Sequence, residues 1–173
     1  MIIILTQCFP SRVGGIESLV SNLALGLSKK DKVVVFADRY HLFYDAIYDN
    51  QYKDQIIVRR ISGLKFFRRR KKIKELMPFI ESKQVKLVIA DTWKSLELSI
   101  DYLSKKNILT CCLAHGNELI SNDDKKSQRI IQTLDKVSTI VANSQFSMDL
   151  VKKLLPSKDN IKFVYPGACD YRK

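Results

Sequence analysis

The chain has 173 residues, 46% hydrophobic and 28% charged, with a formal net charge of +12. That is the length of one domain with a full core, and the composition excludes disorder as the main state. The basic surplus points to an anionic partner: nucleic acid, an anionic membrane surface or a phosphorylated substrate.

Short β-branched runs predict strands at residues 2–6, 32–37, 55–61, 85–90, 108–114, 138–143 and 161–165. Several are apolar without alternation, as strands covered on both faces are. Residues 16–29 set Ile16, Leu19, Val20, Leu23 and Leu27 on one helical stripe, and 67–82, 94–105, 122–136 and 144–155 also read as helices. Residues 38–54, crowded with Tyr, Asp and Asn, predict a long surface connection. Alternation this regular predicts one α/β domain: a Rossmann-like, doubly wound, mostly parallel sheet of about seven strands with helices on both faces.

Ligands of such sheets bind beyond the carboxyl ends of the strands. Three clusters fall there. Gly14 and Gly15 stand at the entrance of the first helix, whose free N–H groups suit phosphate, with Glu17 in its first turn. A flexible loop with a glycine helix entry explains them equally well, and no G-x-G-x-x-G fingerprint is present. The second cluster is "AHGNEL", where His115 and Gly116 follow a buried strand and precede Asn117 and Glu118. The third is Asn143, next to Ser144, an expected N-cap.

The four cysteines form no CxxC pair and lie near only His41 and His115, so no metal site and no secreted disulfide framework is expected. "MIIILTQCFP" lacks the basic start of a signal peptide, and no apolar run reaches the length of a membrane span. Residues 65–83 concentrate the positive charge. As a helix they set Phe66, Phe67, Ile73, Leu76, Met77 and Ile80 on a stripe flanked by Arg68, Arg69, Arg70, Lys71, Lys72 and Lys74. Those six cations could hold an anionic membrane surface, at about 1 kcal/mol each. A solvated helix face over a core stripe is the plainer alternative. No nucleic-acid-binding pattern accompanies the charge, so nucleic acid is not the expected partner.

"FPSRVGGIESLVSNLALGLSKKDKVVVFA" resembles the opening of the family 4 glycosyltransferases, and "VKLVIADTW", "AHGNEL", "VSTIVANSQFSMDLVKKL" and "NIKFVYPGACD" follow in the family's order. The resemblance covers nearly the whole chain. It implies the GT-B fold, two Rossmann-like domains across a cleft, with sugar transferred from a nucleotide-sugar to an acceptor with retention and typically without a metal or other cofactor. Residues 1–173 would be the N-terminal, acceptor-side domain, without the nucleotide-binding C-terminal domain and inactive alone. Gly14, Gly15 and Gly116 would lie at the donor's phosphate or transferred sugar. His115 would assist the reaction. Glu17, Asn117, Glu118 and Asn143 would line the acceptor side. Trp93, at a position where the family has an aromatic or His, would either stack on acceptor or pack. Lipid-linked or polysaccharide acceptors of envelope assembly, at the cytoplasmic membrane face, are what the resemblance implies. The turn Pro166-Gly167-Ala168-Cys169-Asp170 departs from the family's P-N-G-V-D. The rival expectations are a non-catalytic module for an anionic partner and a GT-B-fold epimerase.

Overall fold

The computed structural model describes residues 1–82 and 84–167; Ala168–Asp170 of the departing turn lie outside them. Seven strands form one parallel sheet: β1 (Ile2–Leu5), β2 (Val33–Asp38), β3 (Ile56–Ile61), β4 (Leu87–Ala90), β5 (Leu109–Ala114), β6 (Thr139–Ala142) and β7 (Ile161–Phe163). Their order is β3-β2-β1-β4-β5-β6-β7. All seven expected strands are present, and β1, apolar on both faces, is central and wholly buried.

The order reverses beside β1. From there the chain winds outward to β2 and β3, then returns to place β4 on the other side of β1. The reversal opens a crevice at the carboxyl ends of β1 and β4.

Helix α1 (Gly15–Ser28) and helix α2 (Leu42–Gln51) lie over one face, where Ile2, Ile4, Val33 and Val35 meet Val20, Ala24 and Tyr48. The other face carries α3 (Lys65–Ser82), α4 (Trp93–Leu96), α5 (Ile100–Lys105), α6 (Asp124–Asp135) and α7 (Gln145–Leu154), packed on Ile3, Leu5, Val88 and Ile140. Ser144 caps α7 as expected, accepting the Ser147 amide at 3.1 Å.

Two expectations are corrected. Residues 38–54 are not a loop, because α2 fills most of them. Its one buried side chain is Asp45, which accepts the amides of Tyr40 (2.9 Å) and His41 (3.2 Å) and the Ser11 hydroxyl (2.8 Å). Arg60 of β3 adds charge, 3.7 Å from Asp45 and bonded to Asp49. Polar anchoring of this kind leaves no apolar period to read. The expected helix 94–105 is broken into α4 and α5, with Ser99 bonding back to the Leu96 carbonyl.

Candidate functional site

At the reversal point the sequence puts an acid where an apolar run ends. Asp91 follows β4 and is buried. It accepts the Thr6 hydroxyl (2.7 Å), the Gln7 amide (3.1 Å) and the Ser95 hydroxyl (2.5 Å). Thr6 and Gln7 follow β1, so this carboxylate fastens the ends of the two strands that flank the reversal. Sequence reasoning missed Asp91. The signal was an aspartate directly after "VIA", at a strand's carboxyl end.

The carbonyl of Asp91 faces His115 Nε2 at 2.9 Å, and His115 Nδ1 faces the side-chain amide of Asn143 at 3.0 Å. Ser147, on α7, donates to Asn143 Oδ1 at 3.1 Å, which turns the amide N–H₂ toward the ring. Nδ1 must then accept and Nε2 must donate, so the imidazole is neutral with its proton on Nε2. A polar chain, Thr6–Asp91–His115–Asn143–Ser147, thus joins the ends of β1, β4, β5 and β6 to α7.

The turn after His115 needs its glycine. Gly116 has φ of 109°, and a Cβ there would meet Ser147 Oγ at 3.1 Å and the Phe146 ring at 3.2 Å. Glu118 reaches back to accept the His115 amide at 2.7 Å. Asn117 is exposed at the start of the following 3₁₀ turn, Asn117–Leu119. Gly116, Asn117, Glu118 and Asn143 are therefore gathered around His115.

The glycine pair is held separately. A Cβ on Gly14 would stand 2.2 Å from Glu17 Oε2, whereas Gly15 faces open space. The adjacent glycines therefore serve different ends: the first admits Glu17, and the second leaves the helix entrance clear. Glu17 corrects an expectation. It is buried against Gly14 and paired with Arg12 at 2.9 Å rather than presented to an acceptor. Trp93 is 1% exposed and donates through Nε1 to the Glu118 carbonyl at 3.1 Å, so it packs beneath the site and offers no face for stacking.

Among the six cations expected at a membrane, Lys72 is buried with Asp38 at 2.7 Å, and so cannot face lipid. Arg68 bonds the carbonyls of Gly63 and Arg39, and Arg69 pairs with Glu97. Arg70, Lys71 and Lys74 are exposed. The apolar stripe divides likewise. Ile73, Leu76 and Ile80 join the core, Met77 packs at its edge, and Phe66 and Phe67 stand in solvent.

An all-parallel, doubly wound sheet with polar side chains converging at its reversal defines a Rossmann-like domain. The pattern of Glycosyltransferase Family 4 matches residues 13–169, and the chain belongs to that family. Its fold is similar to that of HepE from Anabaena in complex with UDP and glucose (14% identity, TM-score 0.70, 97% of this chain and 45% of that one). It is also similar to the lipopolysaccharide outer core galactosyltransferase WaaB (15%, 0.65, 95% and 45%). The UDP-GlcNAc 2-epimerase from Methanocaldococcus jannaschii shares it too (13%, 0.62, 95% and 45%). The chain thus spans less than half the length of these structures. No curated protein matches it.

Proposed function

We propose that this chain is the acceptor-side half of a retaining glycosyltransferase that moves a sugar from a nucleotide-sugar donor to a lipid-linked or polysaccharide acceptor. The family match over residues 13–169 carries the reading, since the fold alone is shared with an epimerase. HepE was solved with UDP and with UDP-glucose, which favours a uridine nucleotide-sugar as the first donor class to try. A second domain would supply most nucleotide contacts, and this half alone would be inactive.

The site geometry suggests how the residues share the work. Gly15 leaves the entrance of α1 open to the donor's phosphate or sugar. His115, neutral and held on both ring nitrogens, is preset to receive a sugar hydroxyl in place of the Asn143 amide. That exchange orients the sugar without charging the ring. Asn117 and Glu118 sit beside it for the acceptor. No metal or other cofactor is called for, because the charge of the leaving diphosphate falls to fixed protein donors.

The acceptor's setting is proposed as the cytoplasmic face of a membrane, in envelope or exopolysaccharide assembly. No helix among the described residues is long and apolar enough to cross a membrane. Leu64, Phe66 and Phe67 at the start of α3 and Tyr40, Leu42, Phe43 and Tyr44 before and within α2 are exposed at the same sheet edge. The Arg68–Arg39 bond ties the two segments together. Aromatic rings among the exposed cations Arg70, Lys71 and Lys74 suit an interface with anionic lipid.

The test is transfer by the full-length protein from UDP-, GDP- and ADP-sugars, comparing wild type with His115→Ala and reading the product's anomeric configuration by NMR. Transfer with retention, cut at least 100-fold by the substitution while folding is kept, is the expected result. Undiminished transfer removes His115 from the mechanism. An inverted product rejects the retaining reading, and no transfer with any donor rejects the transferase.

A further inference from the structure

Beside the reversal point, on the α3 side of the sheet, lies a cleft of about 330 Å³ lined by Arg69 and Arg70 of α3, Arg129 of α6, Glu97 and Phe66. Three cations face two carboxylates, Glu97 and Asp38, and Asp38 is paired with the buried Lys72 at 2.7 Å, so the lining keeps a positive balance. Glu97 is consumed internally, because Arg129 donates to it through Nε (2.5 Å) and through its second nitrogen (3.0 Å), and Arg69 adds a third bond at 2.5 Å. Burial alone would raise the Glu97 pKa, but the bonds from Arg129 and Arg69 hold it below the ordinary glutamate range. The carboxylate therefore stays ionised and fixes two planar guanidinium groups in place.

One cation is left over: Arg70 lines the cleft and makes no side-chain hydrogen bond or ion pair with any described residue. Adjoining the cleft through Gln7 and Asp38 is a second one of about 250 Å³, lined in part by Arg12, Arg39 and Arg68. Both open at the carboxyl ends of β1 and β2.

We infer that this arginine cleft binds a phosphate or diphosphate group, held by Arg69, Arg70 and Arg129, with Phe66 at its wall. Fixed guanidinium forks match phosphate oxygens in shape and charge. The volume is at the lower end of the range of ligand pockets, about 300–1,000 Å³. That the phosphate belongs to the acceptor rests on the transferase reading; that the cleft takes a phosphate does not.

The experiment reads binding alone, so it stands or falls apart from any transfer assay. Inorganic pyrophosphate is titrated into the chain and followed by thermal unfolding and calorimetry. Wild type is compared with Arg70→Gln, with Arg70→Gln/Arg129→Gln, and with Lys29→Gln/Lys30→Gln, which removes equal charge at the far end of α1. Pyrophosphate raises the unfolding temperature of wild type and of the lysine control by several degrees near saturation. It binds the double arginine variant about tenfold or more weakly, and Arg70→Gln, whose side chain loses no bond to a described residue, falls between. Equal binding by all variants, or no binding to wild type, overturns the proposal. Sedimentation with phosphatidylcholine vesicles, with and without phosphatidic acid, separates the sources. Arginine-dependent binding to phosphatidic acid that pyrophosphate displaces makes the ligand a lipid headgroup. Vesicle binding unchanged in the arginine variants, with pyrophosphate binding lost, makes it a free or saccharide phosphate.

Discussion

The side-chain amide of Asn143 stands 3.0 Å from His115 Nδ1, and the Asp91 carbonyl stands 2.9 Å from Nε2, so two neighbours leave the ring one neutral tautomer. Nitrogen-15 correlation spectra at mildly alkaline pH should show His115 protonated at Nε2 and bare at Nδ1. Asn143→Ala should let the other tautomer appear and cost about 1 kcal/mol of stability. A dominant Nδ1–H form in wild type would contradict the hydrogen-bond chain.

The three glycines at the sheet edge should respond differently. Gly116→Ala meets a positive φ and close contacts with Ser147 and Phe146, and should cost about 1–3 kcal/mol. Gly14→Ala must displace the Glu17 carboxylate from Arg12 and should also destabilise. Gly15→Ala, facing open space at the first helical position, should be neutral or slightly stabilising. Urea unfolding of the three variants checks the order, and equal effects would refute it.

Trp93 is the chain's one tryptophan, which makes its burial directly measurable. Its fluorescence should be blue-shifted and poorly quenched by iodide. Trp93→Ala should cost about 3–5 kcal/mol. Trp93→Phe, which keeps most of the ring packing but loses the bond to the Glu118 carbonyl, should cost less. Strong quenching would put the ring at the surface, where it could stack on a ligand.

Burial tends to raise the pKa of Asp45, but hydrogen bonds from Ser11 and from the Tyr40 amide outweigh it, with the charge of Arg60 adding to the fall. A carboxylate whose folded pKa lies below its unfolded value stabilises the protein fully above the unfolded pKa, near 3.9. The contribution fades as pH falls through the folded value. Asp45→Asn should therefore cost about 1–3 kcal/mol at pH 7, and the difference from wild type should shrink below about pH 4. A gap that stays constant on acidification would assign the loss to packing.

The elements most legible in the sequence were those whose apolar period is set by burial. "IIIL" and "VVVFAD" had to be covered on both faces, and the stripe from Ile16 to Leu27 had to meet them. The α2 helix escaped because its only buried side chain is an aspartate, secured by Ser11 from one distant segment and Arg60 from another. The basic run shows the same limit. Six cations look alike in sequence, yet Lys72 is buried on Asp38, Arg69 is turned to Glu97, and Arg70 bonds no described residue.

By itself, the sequence determined the α/β alternation, the parallel sheet and the family, because these follow from local periodicity and from motifs in order along the chain. It also placed His115, Gly116 and Asn143 at strand ends, since a strand's end is read from where its apolar run stops. Only the tertiary structure decided what meets there. The contact of Asp91 with Thr6 and His115, the burial of Trp93 and Glu17, and the convergence of Arg69, Arg70 and Arg129 all depend on strands and helices far apart in sequence. Such pairings are fixed by sheet order and helix packing, and neither leaves a local period to read.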